Sequence, residues 1–119
     1  MNSKKVLIVE DDEAFVPLIK LALREMNVVI DVAKNGAQAL FQVKNQNYDL
    51  IISDYRLPEI HGIEILKAAK QKNSNCKMVL ISAADTDMME PDIIDLNLLG
   101  FLQKPLSPIE LRKLISTAF

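Results

Sequence analysis

Apolar residues gather in short runs at 6–9, 28–32, 50–52, 78–81 and 100–102. Each run has strand length, and the first four are rich in Val and Ile. Between the runs, apolar residues recur at helical spacing. Phe15, Leu18, Ile19, Ala22 and Met26 form one such set, and Ala37, Leu40 and Phe41 a second. Ile63, Leu66 and Ala69 form a third, and Leu111, Leu114, Ile115 and Ala118 a last. Strand and helix alternating along the chain predict βαβ units and a parallel sheet. The runs are continuous rather than alternating, as expected when helices cover both faces of the sheet.

Punctuation sets the boundaries. Asn35-Gly36 breaks the chain before the second helix, and Pro58 and Gly62 bracket the loop before the third. Ser107-Pro108 reads as the N-cap and first residue of the last helix. Residues 72–75, KNSN, read as a polar turn. The segment 83–90 is polar and ends in Met88 and Met89. Pro91 has no N–H to give to a helix interior, so it belongs at a helix start and leaves a short fourth helix over 91–97.

Composition narrows the class. The chain has 119 residues, half of them hydrophobic and a quarter charged, which fits one domain with a single core. A net charge of −2 gives no basic footprint for nucleic acid or an anionic membrane surface. The single cysteine, Cys76, rules out an internal disulfide and suits a reducing cytoplasm. The apolar stretch in MNSKKVLIVEDD is too short for a signal peptide, and acids follow it at once. No run approaches the ~18 apolar residues of a membrane span. The expectation is a cytoplasmic domain covering residues 1–119.

The chemistry lies at the strand ends. In an open α/β sheet, ligands bind beyond the carboxyl ends of the strands, where the strand order reverses. Glu10 and Asp11 follow the first run, Ser53 and Asp54 the third, Ser82 the fourth, and Lys104-Pro105 the fifth. Residues 6–9 fill the first strand, so Glu10 and Asp11 reach the rim while Asp12 and Glu13 begin the turn into the helix. Carboxylates brought together repel by about 4 kcal/mol per pair at about 4 Å and an effective dielectric of about 20. A divalent cation relieves that, and an all-oxygen donor set favours Mg²⁺ over zinc. A carboxylate can also accept a phosphoryl group covalently. Such a transfer needs mainly positioning and charge neutralisation, which a metal, Lys104 and the Ser82 hydroxyl could supply.

The stretches KKVLIVEDDEAF, DLIISDYRLPEIHG, MVLISA and GFLQKPL together resemble the receiver domain of two-component response regulators, in order and across essentially the whole chain. The resemblance implies a flavodoxin-like, doubly wound α/β fold. Its five-stranded parallel sheet would run in the order 2-1-3-4-5, with five helices of which the fourth is short or irregular here. It implies that Asp54 accepts a phosphoryl group from a histidine kinase or phosphotransfer protein. Asp11, Asp54 and the backbone carbonyl of Arg56 would ligate Mg²⁺ (or Mn²⁺), with Glu10 acting through a bound water. Ser82 and Lys104 would bind the phosphoryl group, the Lys104–Pro105 peptide would be cis, and Ser82 with Phe101 would form the switch. Output would pass through the face made by the fourth helix, fifth strand and fifth helix, with no contact to nucleic acid or membrane. Such a domain catalyses its own phosphorylation and dephosphorylation and is not a conventional turnover enzyme. Arg56 and Ala84 occupy positions that influence phosphoryl lifetime in the family.

Some positions depart from the pattern. His61 stands where many receivers carry an acid, and Asn97 near where many have glycine. His61 is expected to be an exposed loop residue, and Cys76 a packing residue. Three rival functions meet specific objections. A flavin-phosphate carrier needs a glycine- and hydroxyl-rich first loop, and EDDEA would repel phosphate. An aspartate phosphohydrolase would place its nucleophile after the first strand, in an acid–x–acid motif. A degenerate receiver serving only as a docking module would not need the intact set Glu10, Asp11, Asp54, Ser82 and Lys104.

Overall fold

A computed structural model describes residues 3–58, 60–83 and 98–119. Its elements are β1 (Lys4–Val9), α1 (Val16–Ala22), β2 (Val28–Ala33), α2 (Gly36–Asn45), β3 (Leu50–Asp54), α3 (Gly62–Lys72), β4 (Lys77–Ser82), β5 (Gly100–Gln103) and α4 (Pro108–Ser116). The strands pair in the order β2-β1-β3-β4-β5, all parallel. This is the flavodoxin-like topology, with its reversal point between β1 and β3.

Strand alternation divides the apolar runs between two cores. Leu7, Val9, Ile51, Met78 and Leu80 pack with Ala39, Val43, Ile65, Leu66 and Ala69 of α2 and α3. Val6, Ile8, Leu50, Ile52, Val79 and Ile81 pack with Ile19, Ala22, Leu111 and Ile115 of α1 and α4. Both faces of every central strand are therefore dry, which is why the runs carry no polar alternation. Ser107 caps α4 as its sequence announces, its Oγ accepting from the Glu110 N–H at 3.3 Å.

Two helices differ from their sequence patterns. The spacing that begins at Phe15 runs on to Met26, but α1 stops at Ala22 and Phe15 is its N-cap. Glu25, at φ 68°, takes the left-handed conformation just beyond it and turns the chain toward β2. In α2 the buried positions are Gly36, Ala39 and Val43, and Phe41 is 68% exposed. Four helices stand among the described residues where five were expected. The fourth expected helix, at 91–97, lies outside them, as do Ala84, Met88 and Met89. Among the described residues, no helix is long and apolar enough to cross a membrane.

Candidate functional site

The parallel register carries the site. Val9 pairs with Ser53, Asp54 with Ile81, and Ser82 with Gln103, so β1, β3, β4 and β5 end on one rim. Single backbone bonds then extend the ladder past the strand ends. Glu10 N–H donates to Ala33 O at 3.1 Å, Tyr55 N–H to Ile81 O at 2.9 Å, and Lys104 N–H to Ser82 O at 2.8 Å. Glu10 and Lys104, 94 positions apart, are thereby held on fixed backbone.

Carboxylate oxygens of Glu10, Asp11 and Asp54 lie within 4.8 Å of one another. Glu10 and Asp54 are buried, and Asp11 opens to solvent. The Lys104 ammonium sits between the two buried acids, 3.0 Å from Asp54 Oδ1 and 3.4 Å from Glu10 Oε1. The Lys104–Pro105 peptide is cis. Glu10 Oε2 is buried without a hydrogen-bond partner among the described residues. Burial, reinforced by the neighbouring Asp54 carboxylate and only partly opposed by Lys104, pushes the Glu10 carboxyl up to about 8. Burial would lower the Lys104 ammonium, but Asp54 and then Glu10 outweigh it and raise it above its ordinary range. One cation among three carboxylates leaves two negative charges unbalanced when all are ionised. All-oxygen donors, an orphaned buried oxygen and that charge deficit fit Mg²⁺ or Mn²⁺.

The neighbouring acids fall outside the cluster. Asp12 is exposed and accepts from the Ala14 N–H at 2.9 Å, while Glu13 pairs with Lys34 at 3.3 Å, both well exposed. The register read from the apolar run thus agrees with the structure: Glu10-Asp11 is the pair at the centre.

The remaining rim residues are placed as follows. Ser82 ends β4, buried, beside the backbone of Lys104. Ser53 Oγ donates to the Asp54 carbonyl at 2.8 Å, which spends that hydroxyl on the backbone beneath the site. Arg56 is exposed, its guanidinium 5.2 Å from the centre of the Tyr55 ring, and its backbone bridges to His61. Gly62 N–H donates to Tyr55 O at 3.0 Å and closes this loop. Phe101 is half-buried on β5, its ring 6.2 Å from that of Tyr55. His61 is exposed as expected, yet its ring lies 5.7 Å from that of Tyr55. Cys76 is buried, and burial pushes its thiol up to about 11, which suits packing rather than reactivity.

Two contributors escape a reading of strand ends. Phe15 falls in a helical apolar pattern, yet its ring lies 4.3 Å from Lys104 Nζ. Gly62 reads as loop punctuation, yet a Cβ there would stand 2.7 Å from Asp54 O. A glycine at the first turn of a helix that must touch the end of β3 is the only local signal for the second. Nothing local marks the first.

The profile of the response regulator receiver domain matches residues 6–116. The chain belongs to the response regulator receiver family. Among relatives of this receiver is the alkaline phosphatase synthesis transcriptional regulatory protein PhoP of Bacillus subtilis strain 168. It is 30% identical over 108 residues, covering 91% of this chain and 45% of that protein. The probable transcriptional regulator ycf29 of Pyropia yezoensis is 32% identical over 116 residues, covering 96% of this chain and 52% of that protein. The receiver thus spans about half the length of these two relatives. Among solved structures, response regulator protein TrrA of Thermotoga maritima, in complex with Mg²⁺-BeF, superposes with a TM-score of 0.82. Its identity is 28%, with 98% of this chain and 99% of that chain covered. Chemotaxis response regulator CheY4 of Vibrio cholerae gives a TM-score of 0.84 at 22% identity, covering 99% and 100%, and shows the shared fold.

Proposed function

We propose that this receiver takes a phosphoryl group on Asp54 from the phosphohistidine of a histidine kinase or phosphotransfer protein, and that the group changes its output surface. The observation that carries this reading is the Lys104 ammonium lodged between the Asp54 and Glu10 carboxylates, with Asp11 completing an oxygen cluster on the same rim. Asp11 and Asp54, with the Arg56 carbonyl, would hold Mg²⁺ or Mn²⁺, and Glu10 would act through a bound water. The ion supplies charge neutralisation for the transferring phosphoryl oxygens. A relative superposing on this fold, TrrA, was solved with Mg²⁺-BeF, which supports the assignment.

The Asp54 carboxylate oxygen forms a bond to phosphorus as the P–N bond of the donor breaks, and the leaving imidazole takes up a proton. Lys104 follows the new charge from Asp54 to the phosphoryl oxygens, and the Ser82 hydroxyl donates to them. Ser82 moving toward the phosphoryl group leaves room for Phe101, whose shift alters the surface of β5 and α4. Partners that prefer the altered surface then draw the population toward it. Loss of the group is hydrolysis of the same acyl phosphate, so the domain turns over only its own modification. It works as a cytoplasmic signalling domain.

Incubation with acetyl phosphate and Mg²⁺ should add one phosphoryl mass to the intact protein. BeF₃⁻ with Mg²⁺ should shift NMR resonances of Ser82, Phe101 and their neighbours. Asp54→Asn should abolish both. Equal modification of wild type and variant would sink the assignment.

A further inference from the structure

We infer that Phe15 is a positioning residue for Lys104, a ring face on which the ammonium rests while the carboxylates beside it are engaged elsewhere. The inference rests on the reading of Asp54 as phosphoacceptor. Lys104 Nζ lies 4.3 Å from the centre of the Phe15 ring, within the range of a cation–π contact. Beneath it is a narrow chamber whose apolar wall is Val9, Phe15, Ile19, Ile81 and Leu106, with Glu10 and Asp54 at the polar end. The Lys104 side chain is partly shielded there, and a shielded ammonium gains more from a ring face than a fully exposed one.

The backbone of Phe15 is held from both sides. Phe15 N–H donates to Asp12 O at 3.0 Å, and Phe15 O accepts from Ile19 N–H at 3.1 Å, at the point where the acidic turn becomes α1. The turn that carries Asp11 therefore also fixes the seat of Lys104. Three attractions act on the ammonium: Asp54, Glu10 and the ring. Neutralising the two carboxylates weakens the first two and leaves the third, because the ring's quadrupole does not depend on their charge. A leucine at position 15 would fill the chamber but offer the ammonium no negative face. With the ring present, Nζ needs only a short swing to reach a phosphoryl oxygen on Asp54.

The experiment has two arms. In metal-free protein, the Lys104 ε-methylene protons, assigned by their loss in Lys104→Met, should be displaced upfield by the ring current. Phe15→Leu should return them to the range of the other lysines. In the second arm, Asp54 phosphorylation by acetyl phosphate with Mg²⁺ is timed across phenylalanine analogues of rising fluorination at position 15. The rate should fall stepwise, by about three- to tenfold overall, since fluorine drains the ring face while keeping the packing. Phe15→Tyr should stay near wild type. Unshifted Lys104 protons in the wild type overturn the contact. A rate flat across the fluorinated series, with Asp54 still modified, overturns the positioning role alone. No Asp54-dependent modification in the wild type overturns the functional reading and the positioning role together.

Discussion

Gly62 is a residue where one methyl group decides the geometry of the site. A Cβ at this position would lie 2.7 Å from the Asp54 carbonyl oxygen and 3.1 Å from both Ser53 Oγ and Leu80 Cδ2. Backbone on one side and a fully buried leucine on the other leave little room to give. Gly62→Ala should therefore push α3 away from β3, at about 1–3 kcal/mol in stability. A urea midpoint lowered with an unchanged slope would report that cost. Because the strained neighbour is Asp54 itself, Mg²⁺ affinity should fall too, measurable by titration of the Asp54 amide shift. Unaltered affinity would show that α3 moves without dragging Asp54. Cys76 gives the opposite kind of prediction. Its thiol is 1% exposed and pushed up to about 11 by burial, so a thiol reagent should react only through unfolding. The labelling rate at neutral pH should track global stability across denaturant concentrations, and a rate near that of free cysteine would contradict its burial.

At the scale of elements, helix starts were legible and helix ends were not. Asn35 and Ser107 both have a side chain that can accept from the third helical N–H, and both do so. Asn35 Oδ1 accepts from Gln38 N–H at 2.8 Å, and Gln38 Oε1 returns a bond from the Lys34 N–H at 2.9 Å. Asn35→Ala should cost about 1 kcal/mol, readable in thermal melts, whereas Asn35→Ser should cost little. Equal losses in the two variants would mean that the backbone turn, not the cap, sets the start of α2. The end of α1 carries no such signal, because apolar spacing continues through Met26 while the helix has stopped. Met26 still packs on the α1–α4 core, but from a turn in which Arg24 and Met26 make tight bonds to Leu21 and Leu23. Burial was readable from the pattern; the backbone conformation that delivers it was not. Phe41 shows the converse, an apolar residue at plausible spacing that falls one step off the buried stripe of α2.

For the whole molecule, the site was legible because it is a property of register. Each rim residue stands one or two positions past an apolar run, and a parallel sheet brings the ends of such runs to one edge. Sequence could not reveal the electrical state of that edge, which depends on depth and on neighbours far along the chain. Glu10 keeps its proton to about 8 in the folded, metal-free chain, against 4.5 for the free side chain. Between those values the folded state binds more protons than the unfolded one, so this group's contribution to stability falls as pH rises through that window. Metal-free Tm should therefore decline from pH 5 toward pH 8 more steeply in wild type than in Glu10→Gln, which has no proton to lose. A divalent cation and the Glu10 proton compete for the same acidic cluster, so the Tm gain at fixed Mg²⁺ should be larger at pH 8 than at pH 6. In Glu10→Gln that gain should be smaller and should depend less on pH. Scanning fluorimetry over a pH and Mg²⁺ grid reads all of these outcomes. Parallel pH slopes for the two metal-free proteins would show that the proton sits on another group and that Glu10 enters the folded state already ionised.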